Sequence, residues 1–410
     1  MKKLILFLLA AVLLAGCGNE KNTAEESSRL KQENWSAIEK NAAGKTVRLF
    51  MWGGDPGVNQ YIDKWVKPAL KKEKNVTLER VPMDTPEILQ KLMNEKRAGQ
   101  EKGTVDIVWL NGENFKNAQN EKLLFGPITT MLPNYKSYYD GSSSENQYDF
   151  GTKTNGYEAP WGKVQFVFNY DSSKVKNPPK TVEELKEWIK ANPGKFAYPD
   201  PKDFTGNAFL RMLFYDSAGG ADSILKKGYD EPFAEKNSQK LWSGLNEIEP
   251  YLWKKGKLYP NSLAELDRLY QNGEVWMTMG YNDTRAESMI EKNIFPASTK
   301  SFVLDAGSIG NKHFLAVPYN SAKKEAALTA INFLESPEAQ VEKLSPAYWG
   351  ENMALDYAKL PEKLQKKADS YRKGPSVLPA ETLKKAFVPE VDARYVNWLK
   401  ENWQDEVVQK

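Results

Sequence analysis

Cysteine and histidine are nearly missing from this chain of 410 residues, which contains one of each, Cys17 and His313. A single cysteine excludes an internal disulfide bond, and a single histidine excludes a zinc site built from several histidines. Catalysis of the Ser-His-Asp or Cys-His type would have to run through His313 alone. Because the sequence also shows no nucleophile–base motif and no metal-ligand motif, we expect no enzyme activity, no cofactor and no bound metal.

A strong charge of either sign is lacking as well. Lysine and arginine number 57 against 54 aspartates and glutamates, which gives a formal net charge of +3. A nucleic-acid partner would require a basic face, so this balance argues against one. Aromatic residues, in contrast, are abundant, with 12 Trp, 19 Tyr and 17 Phe, which allows both a large core and aromatic binding clefts.

The N-terminus has the order of a secretory signal. Lys2 and Lys3 precede an apolar run over residues 4–14, which is too short to span a bilayer of about 30 Å as a permanent helix. We therefore predict a signal peptide over residues 1–16. Residues 14–17, Leu-Ala-Gly-Cys, resemble the lipobox of bacterial lipoproteins, in which the cysteine carries a lipid group. The resemblance implies that Cys17 anchors the protein on the extracytoplasmic face of the cell membrane.

The polar stretch over residues 17–44 is predicted to be a flexible, lipidated tether, with a short helix near residues 29–40. From residue 45 onward, apolar strand-like runs alternate with helical patterns, which indicates an α/β fold with a mostly parallel sheet. Thr181 and Glu184 have the spacing of a capping box at a helix start. The last third is predicted to be mostly helical, with Pro389 separating two helices. The expected strands lie at residues 45–52, 76–81, 105–110, 164–170, 274–279 and 314–318.

Four segments occur in order over nearly the whole exported chain, at residues 49–59, 157–181, 272–280 and 316–340. Together they resemble the extracellular solute-binding proteins of bacterial ABC importers, a large group that includes the maltose-binding type. The resemblance implies two α/β lobes joined by crossing strands, the type II periplasmic-binding-protein-like fold, with a small organic solute captured between the lobes. It also implies a monomer that delivers the solute to an ABC permease and its ATPase in the membrane.

The same resemblance implies the lobe boundaries and a branch of the family. Lobe I would comprise residues 45–158 and 300–345, and lobe II residues 159–298 and 346–410. The opening Trp-Gly-Gly at residues 52–54 is most similar to the branch that binds thiamine, polyamines or iron. A carbohydrate-specific protein of the same fold is the alternative, because the segments near residues 280 and 318 are similar to those of sugar binders.

Ligands in open α/β sheets bind where strands end and loops enter helices, and the resemblance selects the same loops. Two such loops follow the first and third predicted strands. Their glycines let the backbone approach a solute, and their polar side chains suit hydroxyl or ammonium groups. A simple helix start explains Asp55 and Glu113 equally well, because capping favours the same residue types. The candidates are Trp52, Gly53, Gly54, Asp55, Asn111, Gly112 and Glu113.

Aromatic platforms are expected on the other wall of the cleft. A cation–π interaction between an aromatic ring and a bound cation contributes about 0.5–2 kcal/mol to binding, and flat rings also stack on sugars. Trp161, beside the first predicted crossing, and Tyr281 are predicted to stack on the solute, with core packing as the alternative for Trp161. Further ligand-binding candidates in neighbouring loops are Thr205, Asn282, Asp283 and Trp349.

A secreted glycoside-active enzyme is the alternative of another class. Such an enzyme would place two carboxyl groups across the cleft, drawn from Asp55, Glu113, Glu158 and Asp283. Acidic residues in loops are common, and no catalytic motif accompanies these four. The sequence therefore favours a lipid-anchored solute-binding protein.

Overall fold

A computed structural model describes residues 18–225, 227–372 and 374–409, with side chains described from Glu25 onward. The predicted signal peptide and the predicted lipid attachment at Cys17 lie outside these residues. Among the helices of the described part, none is long and apolar enough to cross a membrane.

Twelve strands occur in the described residues. They are β1 (Thr46–Met51), β2 (Thr77–Pro82), β3 (Ile107–Leu110), β4 (Leu124–Phe125), β5 (Tyr148–Asp149), β6 (Thr152–Lys153), β7 (Glu158–Gln165), β8 (Val167–Asp171), β9 (Met277–Gly280), β10 (Thr299–Phe302), β11 (Ser308–Pro318) and β12 (Phe387–Pro389).

Helices make up most of the remaining described chain. They are α1 (Gly18–Gln32), α2 (Trp35–Ala42), α3 (Pro56–Gln60), α4 (Lys67–Lys74), α5 (Thr85–Arg97), α6 (Glu113–Asn120), α7 (Pro133–Tyr138), α8 (Ser144–Gln147), α9 (Val182–Ala191), α10 (Phe204–Ser217), α11 (Ala221–Leu225), α12 (Glu231–Asn237), α13 (Gln239–Ile248), α14 (Leu263–Gln271), α15 (Arg285–Glu291), α16 (Lys324–Leu334), α17 (Pro337–Lys343), α18 (Glu362–Tyr371), α19 (Ala380–Ala386) and α20 (Ala393–Trp403). A π-helical stretch, Tyr61–Val66, joins α3 to α4, and a second one, Gln404–Val408, extends α20.

The larger sheet has the strand order β12-β11-β3-β1-β2, with β4 and β7 also paired to β11. Strand β1 is parallel to β2 and β3, whereas β11 runs antiparallel to β3 and β7. Successive side chains of a strand point to opposite faces. Leu49 accordingly packs in one core and Phe50 in another, so the sheet is covered on both faces. The predicted α/β class is confirmed. Strand β1 pairs in parallel with β2 and β3, as does β11 with β12, but the other pairs are antiparallel, so the prediction of a mostly parallel sheet is wrong.

A smaller antiparallel sheet has the strand order β10-β8-β9. It is the centre of a separate hydrophobic core, the second core, which is distinct from the core of the larger sheet. Strand β7 passes directly through Phe166 into β8, and β11 follows β10 along the chain. The Phe166 amide donates a hydrogen bond to the Ile309 carbonyl at 2.8 Å, where these two chains run side by side. Two neighbouring strands therefore connect the sheets, at the place where the sequence predicted the first crossing.

The prediction of a flexible tether over residues 17–44 is wrong for its described part. Helix α2 packs on α16, and Leu30, Ile38 and Ala42 are buried in the core of the larger sheet. The sparse apolar residues of this stretch lie on one helical side, so they can be buried even though most of the segment is polar. The chain is thus anchored to the larger sheet well before β1.

Two stretches lie on the opposite side from the one implied by the resemblance. Strand β10 pairs with β8 of the smaller sheet, although residues 300–345 were expected in lobe I. Leu360 and Ala368 pack against Tyr139 and Val341 beside the larger sheet, although residues 346–410 were expected in lobe II. The pairing of β10 and the apolar face of α18 are long-range contacts, which local sequence patterns do not encode.

Local predictions hold in most places. The Thr181 hydroxyl accepts a hydrogen bond from the Glu184 amide at 3.1 Å, as a capping box requires. Pro389 does end the helical stretch before α20, but residues 387–389 form β12 and pair in parallel with β11. The three-residue strand is too short to produce a sequence signal of its own.

Candidate functional site

The loop after β1 contains the predicted Trp52, Gly53, Gly54 and Asp55. The Trp52 ring is 46% exposed and lies against Gly54, where any larger side chain would collide with it. Asp55 caps α3, because one carboxylate oxygen accepts hydrogen bonds from the amides of Gly57 and Val58 at 2.6 and 3.2 Å. Asp55 therefore acts as a helix cap in the structure, which is the alternative to ligand binding that the sequence left open. Trp52 presents the free aromatic surface of this loop.

The loop after β3 contains the predicted Asn111, Gly112 and Glu113. Gly112 has a φ of 61°, a left-handed conformation that favours glycine, and its amide donates a hydrogen bond to Asp149 Oδ2 at 2.5 Å. Glu113 begins α6, and its carboxylate accepts a hydrogen bond from Asn397 Nδ2 at 3.1 Å. Glu113 thus reaches across from the side of the larger sheet to α20 of the second core.

The prediction that Trp161 forms an open stacking platform is wrong. Its side chain is completely buried, and its ring contacts those of Trp109 and Trp349 at centroid distances of 5.2 and 5.1 Å. Alternation along β7 directs Trp161 to the same face as Ala159, into the core of the larger sheet. Trp349, another predicted ligand-binding residue, is only 8% exposed and belongs to the same ring cluster. The alternative of core packing applies to both.

Tyr281 is also unable to offer a free ring face. Its hydroxyl is hydrogen-bonded to Arg211 at 2.5 Å and to Glu390, and its ring packs against Phe204 at 4.9 Å and Phe166 at 5.8 Å. Burial raises the pKa of Tyr281 well above its usual value, so the hydroxyl stays protonated as a donor. The stacking prediction is wrong for this residue as well.

The remaining predicted residues support loops. Asn282 accepts a hydrogen bond from the Thr284 amide at 3.0 Å, and buried Asp283 accepts hydrogen bonds from Asn352 and, at 3.3 Å, from Arg372. Burial raises the pKa of the Asp283 carboxyl, while nearby Arg372 lowers it. Thr205 is buried in the first turn of α10. These contacts hold the loops of the second core in place beside the crossing strands.

A buried network around Arg211 was not predicted from the sequence. Arg211 donates to both oxygens of Glu390 at 2.9 and 3.2 Å and to the Asn207 side chain, and all three residues are at most 5% exposed. Phe150 and Phe204 lie on the guanidinium at 5.8 and 5.4 Å. The lone arginine within the apolar run of residues 208–214 is the sequence signal that could have revealed it.

A cavity of about 360 Å³ opens beside this network and between the two cores. Its walls come from the segment around β5, from the crossing strands β7 and β11, from α11, and from the chain around β12. Buried Asp149 lies in the wall, and burial raises the pKa of its carboxyl to about 8. The lining residues with side-chain charges are Glu145, Asp149, Lys163, Lys312, Glu390 and Asp392.

The two sides of the molecule also meet outside the cavity. Besides the Glu113–Asn397 hydrogen bond, Lys116 lies 3.8 Å from Asp392, and the rings of Phe150 and Phe204 are 6.3 Å apart. Each pair joins the side of the larger sheet to the second core. The two lobes therefore contact each other beside the central cavity.

Two α/β lobes, joined by crossing strands and enclosing a cavity, define the class of two-lobed binding proteins. Residues 64–368 match the family model described as bacterial extracellular solute-binding protein. The chain belongs to this family. The resemblance inferred from the sequence is thereby confirmed.

Known proteins agree with this assignment. The chain is 36% identical to Protein YnjB of Escherichia coli (strain K12) over 372 residues, which cover 90% of this chain and 93% of that protein. The spermidine/putrescine ABC transporter substrate-binding protein PotD from Streptococcus pneumoniae has a similar fold, with a TM-score of 0.62, 14% identity, and coverage of 88% of this chain and 98% of PotD. A periplasmic thiamin binding protein has a TM-score of 0.56 at 17% identity, covering 89% of this chain and 95% of its own.

Proposed function

We propose that this solute-binding protein is the lipid-anchored receptor of an ABC importer. It captures a small organic solute in the cleft and delivers it to a membrane permease and its ATPase, with no catalytic step of its own. Cys17 carries the lipid and holds the receptor on the extracytoplasmic face of the membrane.

The cavity between the two lobes is the observation that carries this proposal. A site of about 360 Å³ lies within the size range of small-molecule pockets and is lined by aromatic and polar side chains. Contacts between the lobes, such as Glu113 with Asn397, form around this space. A solute that touches both lobes would favour the closed state over the open one, which is how binding is coupled to a change of shape.

The residues that we propose to contact the solute differ in part from those predicted from the sequence. We propose that Trp52, Asn111 and Phe204 contact the solute, because these side chains are wholly or partly exposed at the ends of their strands and helix. Asp149 and Asn311 contribute from the cavity. Trp161, Trp349 and Tyr281 support the site from behind.

The proposal is tested with the full exported chain in detergent. Thermal unfolding is followed with sugars, amino acids, polyamines and thiamine, since a ligand at 100 times its dissociation constant stabilises a protein by about 2.7 kcal/mol. A cell lacking the gene is then expected to lose uptake of the radiolabelled solute that raises Tm. Stabilisation by none of these solutes, together with turnover of a glycan, would contradict the proposal in favour of the glycosidase alternative.

The lipid anchor has its own test. Wild-type protein is expected to incorporate labelled palmitate and to sediment with membranes, whereas the variant Cys17→Ser is expected to do neither. A Cys17→Ser protein that still incorporates palmitate would contradict the anchor.

A further inference from the structure

Two buried hydrogen-bond acceptors in the cavity wall have no partner, namely Asp149 Oδ1 and Asn311 Oδ1. Among the described residues that line this cavity, no buried side-chain donor is without a partner. A buried acceptor without a hydrogen bond is unfavourable, so such groups are normally paired with a donor. The group that completes this wall is therefore a hydrogen-bond donor.

Both acceptors are held in position. Asp149 is 2% exposed, and its other oxygen, Oδ2, is occupied by the Gly112 amide at 2.5 Å. Asn311 Nδ2 donates to Glu390 Oε1 at 3.2 Å. Because a carboxylate accepts and does not donate, this contact identifies the amide oxygen of Asn311 as the atom left over. The free oxygens are thus fixed by neighbouring contacts of known direction.

Each acidic residue of the wall except Asp149 has an ion-pair partner. Glu145 lies 2.9 Å from Lys163 and 3.6 Å from Lys312, and Glu390 is paired with Arg211. Asp392 is bonded to Arg394 at 2.9 Å. No lysine or arginine among the described residues forms an ion pair with Asp149, and a buried, unpaired carboxylate is unfavourable. Asp149 is therefore the one acidic residue in the described part of the wall without a counter-ion, and a bound cation would displace the proton that its carboxyl group keeps in the solute-free state.

We infer that the cavity binds a positively charged N–H group of the solute, an ammonium, amidinium or guanidinium, between Asp149 and Asn311. This inference rests on the proposed function and names the chemical class of its solute. Aromatic side chains of Tyr148, Phe150 and Phe387 line the same cavity and provide apolar surface for the carbon atoms next to such a group.

The first experiment compares matched probes on the wild-type full chain by thermal shift and calorimetry. Putrescine is paired with 1,4-butanediol and butylguanidine with butylurea, so that each pair differs chiefly in charge. Spermidine, thiamine, maltose, Mg²⁺ and Ca²⁺ complete the panel. We expect at least one of the amines or guanidines to raise Tm and its neutral counterpart to leave Tm unchanged. Binding of only neutral solutes, anions or metal ions would overturn the inference.

The second experiment tests the role of Asp149, using the cation that binds the wild-type protein in the first experiment. Asp149→Asn keeps an oxygen for the Gly112 amide and is expected to weaken binding about 10- to 100-fold, the effect of losing a hydrogen bond to a charged group. Glu335→Gln is the matched control, because Glu335 is also fully buried with both oxygens unpartnered but lies outside the cavity lining. Equal affinity of Asp149→Asn and wild type would overturn the inference.

These outcomes separate the two proposals. A sugar that binds both wild type and Asp149→Asn overturns the cation site and leaves the receptor intact. Failure of every probe class, with unchanged uptake in cells lacking the gene, overturns the receptor itself. Should Asp149→Asn fail to fold, as judged by circular dichroism, the matched probe pairs on the wild-type protein still decide the question.

Discussion

Arg211 and Glu390 form an ion pair in which the two side chains are 0% and 2% exposed, with the guanidinium donating to both carboxylate oxygens. Arg211 lies on α10 of the second core, whereas Glu390 follows β12, which pairs with the larger sheet. Asn311 of β11 donates to the same carboxylate. The pair therefore joins the second lobe to the crossing strands, and its guanidinium is fully committed to protein partners.

Removal of one partner of this pair is expected to be costly. Arg211→Met leaves Glu390 buried without its counter-ion, which should lower the free energy of unfolding by about 3–5 kcal/mol. Urea denaturation measures the loss. Arg29→Ala is the control, because Arg29 is half exposed in its pair with Glu33 and should change stability by less than about 1 kcal/mol. Equal stability of Arg211→Met and wild type would contradict a structural role of the pair.

Trp161 and Trp52 are expected to respond in opposite ways to truncation. Trp161→Ala opens a space in the Trp109–Trp349 cluster and should lower stability by about 3–5 kcal/mol. Trp52→Ala removes a half-exposed ring and should leave stability within about 1 kcal/mol while weakening solute binding. Denaturation curves and calorimetry on the same preparations separate the two effects. Unchanged solute affinity of Trp52→Ala would remove this ring from the site.

Strands β1 to β3 could be predicted from sequence because they depend on short-range apolar patterns, and the family could be predicted from four segments that occur in the expected order. Apolar runs mark β1 to β3, and Thr181 with Glu184 has a capping signature that the structure reproduces. Which aromatic residues face the cleft could not be predicted in the same way. Trp52 directly follows β1, whereas Trp161 lies in the middle of β7, and only the pairing of β7 with β11 shows that Trp161 is turned into a core.

The polar groups of the cavity could not be predicted from local patterns either. Asp149, Asn311 and Glu390 are far apart in the chain and meet only through the crossing of β11 with its neighbours. Asp149 follows a polar loop that resembles any exposed turn in sequence. Its burial depends on Gly112, whose left-handed backbone turns an amide toward the carboxyl group.

Stability should fall as pH rises from about 5 to 8, and Asp149 should account for part of the slope. Its pKa is raised to about 8 by burial and by Glu390, so the folded state keeps a proton that the unfolded state has lost above pH 4. The folded state therefore binds more protons over this interval, and the free energy of unfolding decreases with pH. Glu158, which lies near Asp149, and remote Glu335 have raised pKa values and act in the same direction.

Urea denaturation between pH 5 and 8 checks this dependence without any solute. Asp149→Asn is expected to show a shallower decline than wild type, because one of the titrating groups is gone. Glu362→Gln, at an exposed pair with Lys366, should retain the wild-type slope. A slope that is the same in Asp149→Asn and wild type would show that Asp149 is ionised in the folded state.

Closure of the lobes is expected to depend on the contact between Glu113 and Asn397. Asn397→Ala removes one hydrogen bond to a partly exposed carboxylate and should weaken solute binding by a factor of about 2 to 5. Asn397→Asp places a second negative charge opposite Glu113 and should favour the open state more strongly, with a larger loss of affinity that decreases at high salt. Asn402→Asp adds the same charge to the same helix α20, away from Glu113, and should behave as wild type.

Small-angle X-ray scattering reports the open population, since separated lobes increase the radius of gyration. If Asn397→Asp and Asn402→Asp give the same scattering and affinity, the lobes close without this contact.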